Sequence, residues 1–417
     1  MSKLALLGGT PVRTEKFSPW PEYDEREEKY LLDTLRSRKW GGYPYPSELS
    51  VEFCERFAKY HGANHCVLAA NGSLTLEVAL KAAGIKAGDE VIVPNYTFAA
   101  TAACAVRVNA VPVFVDVEER NYCINPDLVE QAITPKTRAI IPVHLGSSCA
   151  DMDRIMEIAR KHNLIVIEDC AHAHGGEWRG MGVGSIGDFG SFSFQSSKLM
   201  TAGEGGAITI KDDMHRQRAM ALINCGRKEP GYDGFEGSVF GWNYRLGDVH
   251  VAILMGQMDR LDEVTKKRSV MADAFTKLLH ENVKGLTVLA TDPRVTRKHC
   301  YQTVMKYDSK FFKGVHRDRF IDALEAEGVG MHGDFYTALH EHELMDAKSS
   351  EFPMLRERYG DGLHSCKSGQ FPVSIKAGYE EAVWMHYSYL SGTHKDLQDI
   401  VEAIAKIQAN AEELLQK

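Results

Sequence analysis

In the segment FSFQSSKLMTAGEGGAITI, residues 192 to 210, Lys198 leaves a β-rich run and is followed by Gly203, Gly205 and Gly206. A lysine amine can form a Schiff base with a carbonyl compound, and the glycines permit tight turns and close backbone approach. Taken alone, Lys198 is better described as a solvated loop lysine. In IVIEDCAHAHG, residues 165 to 175, Asp169 stands at the carboxyl end of an apolar strand, where ligands sit in open α/β sheets. A carboxylate there can hold a proton on a heteroaromatic ring nitrogen, and pairing with that cation keeps both groups charged despite burial. A helix cap or surface ion pair is the plain alternative for Glu168 and Asp169.

Two further segments carry weaker signals. LAANGSLTLEVAL, residues 68 to 80, ends a strand at Asn71, Gly72 and Ser73 and then begins a helix. Backbone N–H groups at a helix start, with a glycine and a hydroxyl, form a phosphate cup, although a bare Gly-Ser before a helix usually serves as an N-cap. In PNYTFAATAACAV, Phe98 follows a strand ending at Pro94 and can lay its ring over a planar cofactor, or simply join the core. Phosphate cup, stacking aromatic, ring-nitrogen carboxylate and Schiff-base lysine together describe a pyridoxal 5'-phosphate (PLP) site.

These groups need a scaffold of strand ends. Candidate strands are His65 to Ala69, Glu90 to Pro94, Val111 to Val117, Ala139 to Val143, Leu164 to Glu168, Phe189 to Phe194 and Gly206 to Ile210. Helix-length stretches such as Leu74 to Ala83 and Met152 to His162 lie between them. Continuous apolar runs such as VIV and LIVI signify strands buried on both faces, so the expected fold is α/β, with a mostly parallel seven-stranded sheet between helices. After Lys211 the alternation fades. A long helix begins near Leu246, followed by a strand around Gln302 to Lys306, a helix from Asp318 to Glu327 and a terminal amphipathic helix carrying Leu397, Ile400, Val401, Ile404 and Ile407. The expected division is a large domain with an N-terminal arm, residues 1–265, and a smaller C-terminal α+β domain, residues 266–417.

At these motifs the chain resembles the DegT/StrS family of fold-type I PLP-dependent sugar and cyclitol aminotransferases, from about Leu4 to the final helix. The resemblance implies that Lys198 forms the Schiff base, Asp169 contacts the pyridine nitrogen and Phe98 stacks on the ring. It gives Gly72, Ser73 and Ser193 to the phosphate and places His172 near the cofactor's phenolic oxygen. FGWNYRLGDVHVAI, residues 240 to 253, matches the family's G-x-N-x-R segment. By that match Asn243 reaches the phosphate of the neighbouring subunit, which makes the protein a homodimer. DCAHAHGGEW, the opening LALLGGTPVR and the late VWMHYSYLSG look closest to the branch of L-glutamine:scyllo-inosose aminotransferases and 3-amino-5-hydroxybenzoate synthase.

The function this implies is ping-pong transfer of an amino group from L-glutamine, or L-glutamate, to the ketone of a cyclitol such as scyllo-inosose. Arg245 is a candidate for the donor carboxylate, or a structural ion pair at the subunit interface. Tyr336, His340 and His386 are possible acceptor-side residues, each also explicable as structural. One departure stands out: VHLGSSCADMD, residues 143 to 153, lacks the aromatic of the commoner V-H-L-Y-G pattern. Other readings are a nucleotide-linked keto-sugar aminotransferase, a PLP-dependent sugar dehydratase and a non-catalytic PLP-binding regulator. The dehydratase branch replaces the Schiff-base lysine with histidine, whereas Lys198 is present here. A regulator would be expected to carry a DNA-binding domain or basic arm.

Composition narrows the field further. The 417 residues carry 49 basic and 57 acidic side chains, a formal charge of -8 without long blocks of either sign, which disfavours nucleic acid as a partner. Mean hydropathy of -0.28 is ordinary for a globular protein. No apolar run approaches the length of a membrane helix and the N-terminus lacks a signal-peptide core, so the expected location is the cytoplasm. Nine scattered cysteines without a C-x-x-C read as reduced thiols, and no metal site is expected.

Overall fold

The computed structural model describes residues 3–42, 45–228, 235, 237–363 and 370–415. Its strands are β1 (His65–Ala69), β2 (Glu90–Pro94), β3 (Val111–Val115), β4 (Thr137–Ile140), β5 (Ile165–Asp169), β6 (Glu177–Trp178), β7 (Met181–Gly182), β8 (Phe189–Ser193), β9 (Gly206–Ile210), β10 (Leu286–Val288), β11 (Val295–Arg297), β12 (Thr303–Tyr307) and β13 (Ala382–Met385). Seven form the main sheet in the order β1-β9-β8-β5-β4-β2-β3. Pairing is parallel from β3 through β8, and only β9 runs against its neighbours.

Burial on both faces explains the unbroken apolar runs. Along β2, Ile92 joins one hydrophobic cluster while Val91 and Val93 join the other. The same alternation divides Cys66 and Leu68 from Val67 and Ala69 in β1. Thus each strand contributes to two cores, and polar residues collect at the strand ends.

A helix over Asp248–Asn282 links this body to a second core. Val251, Leu254, Met255 and Leu261 pack on the sheet side, whereas Met271, Phe275 and Leu279 pack with the three-stranded sheet β10-β12-β13. We place the boundary of the two proposed units inside this helix, near residue 265. Leu4 is buried in the second core, with Leu6, Leu7 and Val12 packed beside it, so the N-terminal arm crosses over to the C-terminal unit. The last helix, His394–Ala409, starts from a Thr393/Asp396 capping box and buries Leu397, Ile400, Val401, Ile404 and Ile407.

Eight cysteines are free thiols, most of them buried, and Cys366 lies outside the described residues. Among the described residues, no helix is long and apolar enough to cross a membrane.

Candidate active site

The carboxyl ends of β1, β2, β5 and β8 open into one cavity of about 940 Å³. Gly72, Ser73, Phe98, Asp169, His172, Ser193 and Lys198 all line it. Asn243 does not, and its exposed side chain instead accepts from Arg245 N–H at 3.4 Å.

The cavity has an anion end. Asn71 caps the helix Gly72–Ala82, its Oδ1 accepting from Leu74 N–H at 3.0 Å. The N–H groups of Gly72 and Ser73 lie in the first helical turn, before intrahelical bonds begin, and face developing positive dipole density. A Cβ on residue 72 would sit 2.6 Å from Ser193 Cβ, so only glycine lets the helix start approach β8 this closely. Backbone donors, Ser73 and Ser193 therefore make a small cup with the chemistry of a phosphate site.

The opposite end demands a cation. Asp169 is 6 % exposed, and burial raises its carboxyl above the usual carboxylate range. Its Oδ2 accepts from Thr101 Oγ at 2.9 Å and its Oδ1 from Ala171 N–H at 3.2 Å. A protonated ring nitrogen would give this carboxylate a close charge partner.

Lys198 Nζ lies 5.0 Å from the centre of the Tyr301 ring. Its loop is tied down from the second unit and the N-terminal arm. Tyr387 Oη donates to Ser197 O at 3.0 Å and Lys198 O at 3.2 Å, and Trp20 Nε1 donates to Ser196 O at 2.7 Å. Phe98 is 58 % exposed, an open apolar face at the cavity. That exposure suits a stacking surface better than the core role that its residue type also permits.

His172 is buried, with Nδ1 accepting from Gly146 N–H at 3.2 Å and Nε2 bonded to Tyr336 Oη at 3.0 Å. Of the three acceptor-side candidates only Tyr336 lines the cavity. His340 bonds Asn95 in the interior, and His386 bonds Ser388. Arg245 does not line the cavity; its Nη1 donates to Asn224 Oδ1 at 2.9 Å. Thr101 and Tyr301 carried no signal of their own in the sequence, Thr101 being one hydroxyl in an alanine-rich helix.

Beneath the cavity His144, Glu168 and Cys170 bring three potential metal donors together. The carboxylate of Glu168 already accepts from Gly184, Ile186 and Gly187 N–H and from His144 Nε2. His144 Nδ1 in turn accepts from Ala150 N–H. With these lone pairs engaged, the cluster is a buried polar buttress for β5 rather than a metal centre.

Known proteins carry the same architecture. A protein of Streptoalloteichus tenebrarius, provisionally named L-glutamine:3-amino-2,3-dideoxy-scyllo-inosose aminotransferase, is 49% identical over 415 residues, covering 99% of each chain. The L-glutamine:2-deoxy-scyllo-inosose aminotransferase of Micromonospora echinospora is 36% identical over 99% of this chain and 100% of its own. The crystal structure of 3-amino-5-hydroxybenzoic acid synthase superposes with a TM-score of 0.82 at 30% identity, covering 95% of this chain and all of that one. Residues 21–404 match the DegT/DnrJ/EryC1/StrS aminotransferase family, to which this chain belongs as an aminotransferase of the PLP-dependent α/β fold.

Proposed function

We propose that the protein binds pyridoxal 5'-phosphate and transfers an amino group from L-glutamine, or L-glutamate, to the ketone of a cyclitol of the scyllo-inosose type. The observation that carries this is the shared cavity of Lys198, buried Asp169 and the Gly72–Ser73 cup. The residues fit the cofactor: the cup suits its phosphate, Asp169 its ring nitrogen, Phe98 its flat face and Lys198 its aldehyde. Relatives at 45–49% identity bear the 3-amino-2,3-dideoxy-scyllo-inosose name, whereas those bearing scyllo-inosose or 2-deoxy-scyllo-inosose names are 34–36% identical. An inosose already carrying one amino group is therefore the preferred acceptor.

When bound, the cofactor supplies an electron sink for the carbanion left by deprotonation next to nitrogen. The protein supplies the rest. Lys198 Nζ takes the proton from the donor's α-carbon, and returns one to the acceptor carbon in the second half of a ping-pong cycle. Asp169, ionised, would hold a proton on the ring nitrogen. Phe98 would cover the ring and exclude water from one face.

We further propose a homodimer in which Asn243 of one chain completes the phosphate site of the other. Phe240 and Trp242, 89 % and 64 % exposed, flank Asn243 with apolar surface that favours burial against a second copy.

A half-reaction screen tests the assignment. The holoprotein is converted with L-glutamine, freed of donor, and mixed separately with amino-inososes, inososes, keto-sugar phosphates and nucleotide keto-sugars. Recovery of the original visible spectrum with an inosose is the expected result. Recovery only with nucleotide sugars would overturn the cyclitol reading.

A further inference from the structure

Behind the cofactor residues runs a chain of hydrogen bonds with a defined direction. Gly146 N–H donates to His172 Nδ1 at 3.2 Å, so that nitrogen carries no proton. Burial holds His172 neutral, well below its usual range. The one ring proton must then sit on Nε2, which donates to Tyr336 Oη at 3.0 Å. Tyr336 accepts in that bond and keeps its own hydroxyl proton to give. Its ring lines the cavity, 6.5 Å from Phe98 between centroids.

The first link is built by local conformation. Gly146 has φ of +59°, and a Cβ there would sit 2.5 Å from Val304 Cγ2 and 3.4 Å from the Trp384 ring. The His172 ring is held in turn by the Tyr301 ring, stacked at 4.1 Å with an interplanar angle of 21°. Tyr336 packs edge-on against Trp384 at 5.5 Å and Phe335 at 4.8 Å. Neither the imidazole nor the phenol is free to swing.

We propose that the Tyr336 hydroxyl, oriented by Gly146 and His172, donates a hydrogen bond to an oxygen of the bound ligand and is a direct contact residue of this reaction. Two sources share that chemistry: the ring oxygen of the cofactor and a hydroxyl of a polyol acceptor. The inference rests on the proposed function, since both sources belong to it. His172 acts through Tyr336 as a positioning residue.

The test compares holoprotein with the Tyr336→Phe variant, which keeps the ring and its packing. Cofactor uptake and bleaching by L-glutamine or L-glutamate in the unmutated protein check the underlying function first; failure with both donors overturns both proposals. With that secured, a changed balance of the visible bands of Tyr336→Phe at fixed pH, without substrate, identifies the cofactor oxygen. An unchanged spectrum with the acceptor KM raised on the order of tenfold identifies the polyol. Equal spectra and equal KM and kcat in the two proteins would defeat the inference. A His172→Phe variant supplies the second measurement. Its loss, combined with Tyr336→Phe, must be less than the sum of the two single losses, because both remove the same hydrogen bond. Additive losses would show the two residues acting separately and would also refute it.

Discussion

Gly72 and Ser193 touch across the start of a helix and the end of a strand, so closely that a methyl group on residue 72 would lie 2.6 Å from Ser193 Cβ. Gly72→Ala must push the helix Gly72–Ala82 away from β8 and open the phosphate cup. We expect cofactor affinity to fall on the order of tenfold or more, with the fold retained, as measured by fluorescence titration of the apoprotein. Affinity within twofold of the unmutated protein would remove Gly72 from the phosphate site.

Asp169 predicts opposite effects on activity and stability. Burial already raises its carboxyl, so ionised Asp169 is a liability in the protein without cofactor. That elevation favours folding at low pH and loses its benefit as pH rises through the elevated value. Asp169→Asn retains an acceptor for Thr101 Oγ and should leave the apoprotein as stable at neutral pH, or more so. Turnover should nevertheless fall at least about a thousandfold, because the ring nitrogen loses its anion. Thermal unfolding of the apoprotein and steady-state rates check the two halves separately.

Much of this site was legible because it lies on strand ends. The ranges of β1, β2 and β9 agree with the sequence pattern residue for residue, β5 shifts by one residue, and β4 starts two residues and ends three residues earlier. In those strands, burial on both faces leaves apolar runs that stop where the chemistry begins. The pattern could not reveal what reaches the cavity from afar. Tyr301 reaches it from beyond the long helix with no signal of its own, whereas Tyr336 is one of the acceptor-side candidates, and only its bond to His172, 164 positions away, escapes the pattern. Two early helices, Glu25–Ser37 and Glu48–His61, lie outside the strand-and-helix alternation, although Asp24 and Glu27 form a capping box at the first. For Phe98 the sequence left a core role open beside stacking, and its exposure at the cavity comes only from tertiary surroundings.

Acid should destabilise the protein through its buried histidines. Burial pushes His61 and His299 down to about 3 from an ordinary value of 6.5. Between those values the unfolded chain binds a proton at each position that the folded chain refuses. Stability therefore falls as pH drops from 6.5 toward 3, with a slope of up to one proton per histidine. Urea unfolding at pH 7, 6, 5 and 4 measures the slope, and His299→Gln should reduce it by up to one proton. An unchanged slope in that variant would show that His299 is not held neutral.

Complementation between two inactive variants tests the assembly. Lys198→Ala destroys the site on its own chain but leaves Asn243 able to serve a partner. Asn243→Ala does the reverse, and at limiting cofactor each homodimer should be inactive. Random re-association makes half of all dimers mixed, and each mixed dimer holds one site with both residues intact. Activity should therefore return to about a quarter of the unmutated level. If Asn243 instead serves its own chain, the mixed dimer contains an intact site only where both residues come from one chain, and neither parent provides that. The mixture would then stay inactive, which separates a shared site from two independent ones even though both arrangements are dimers.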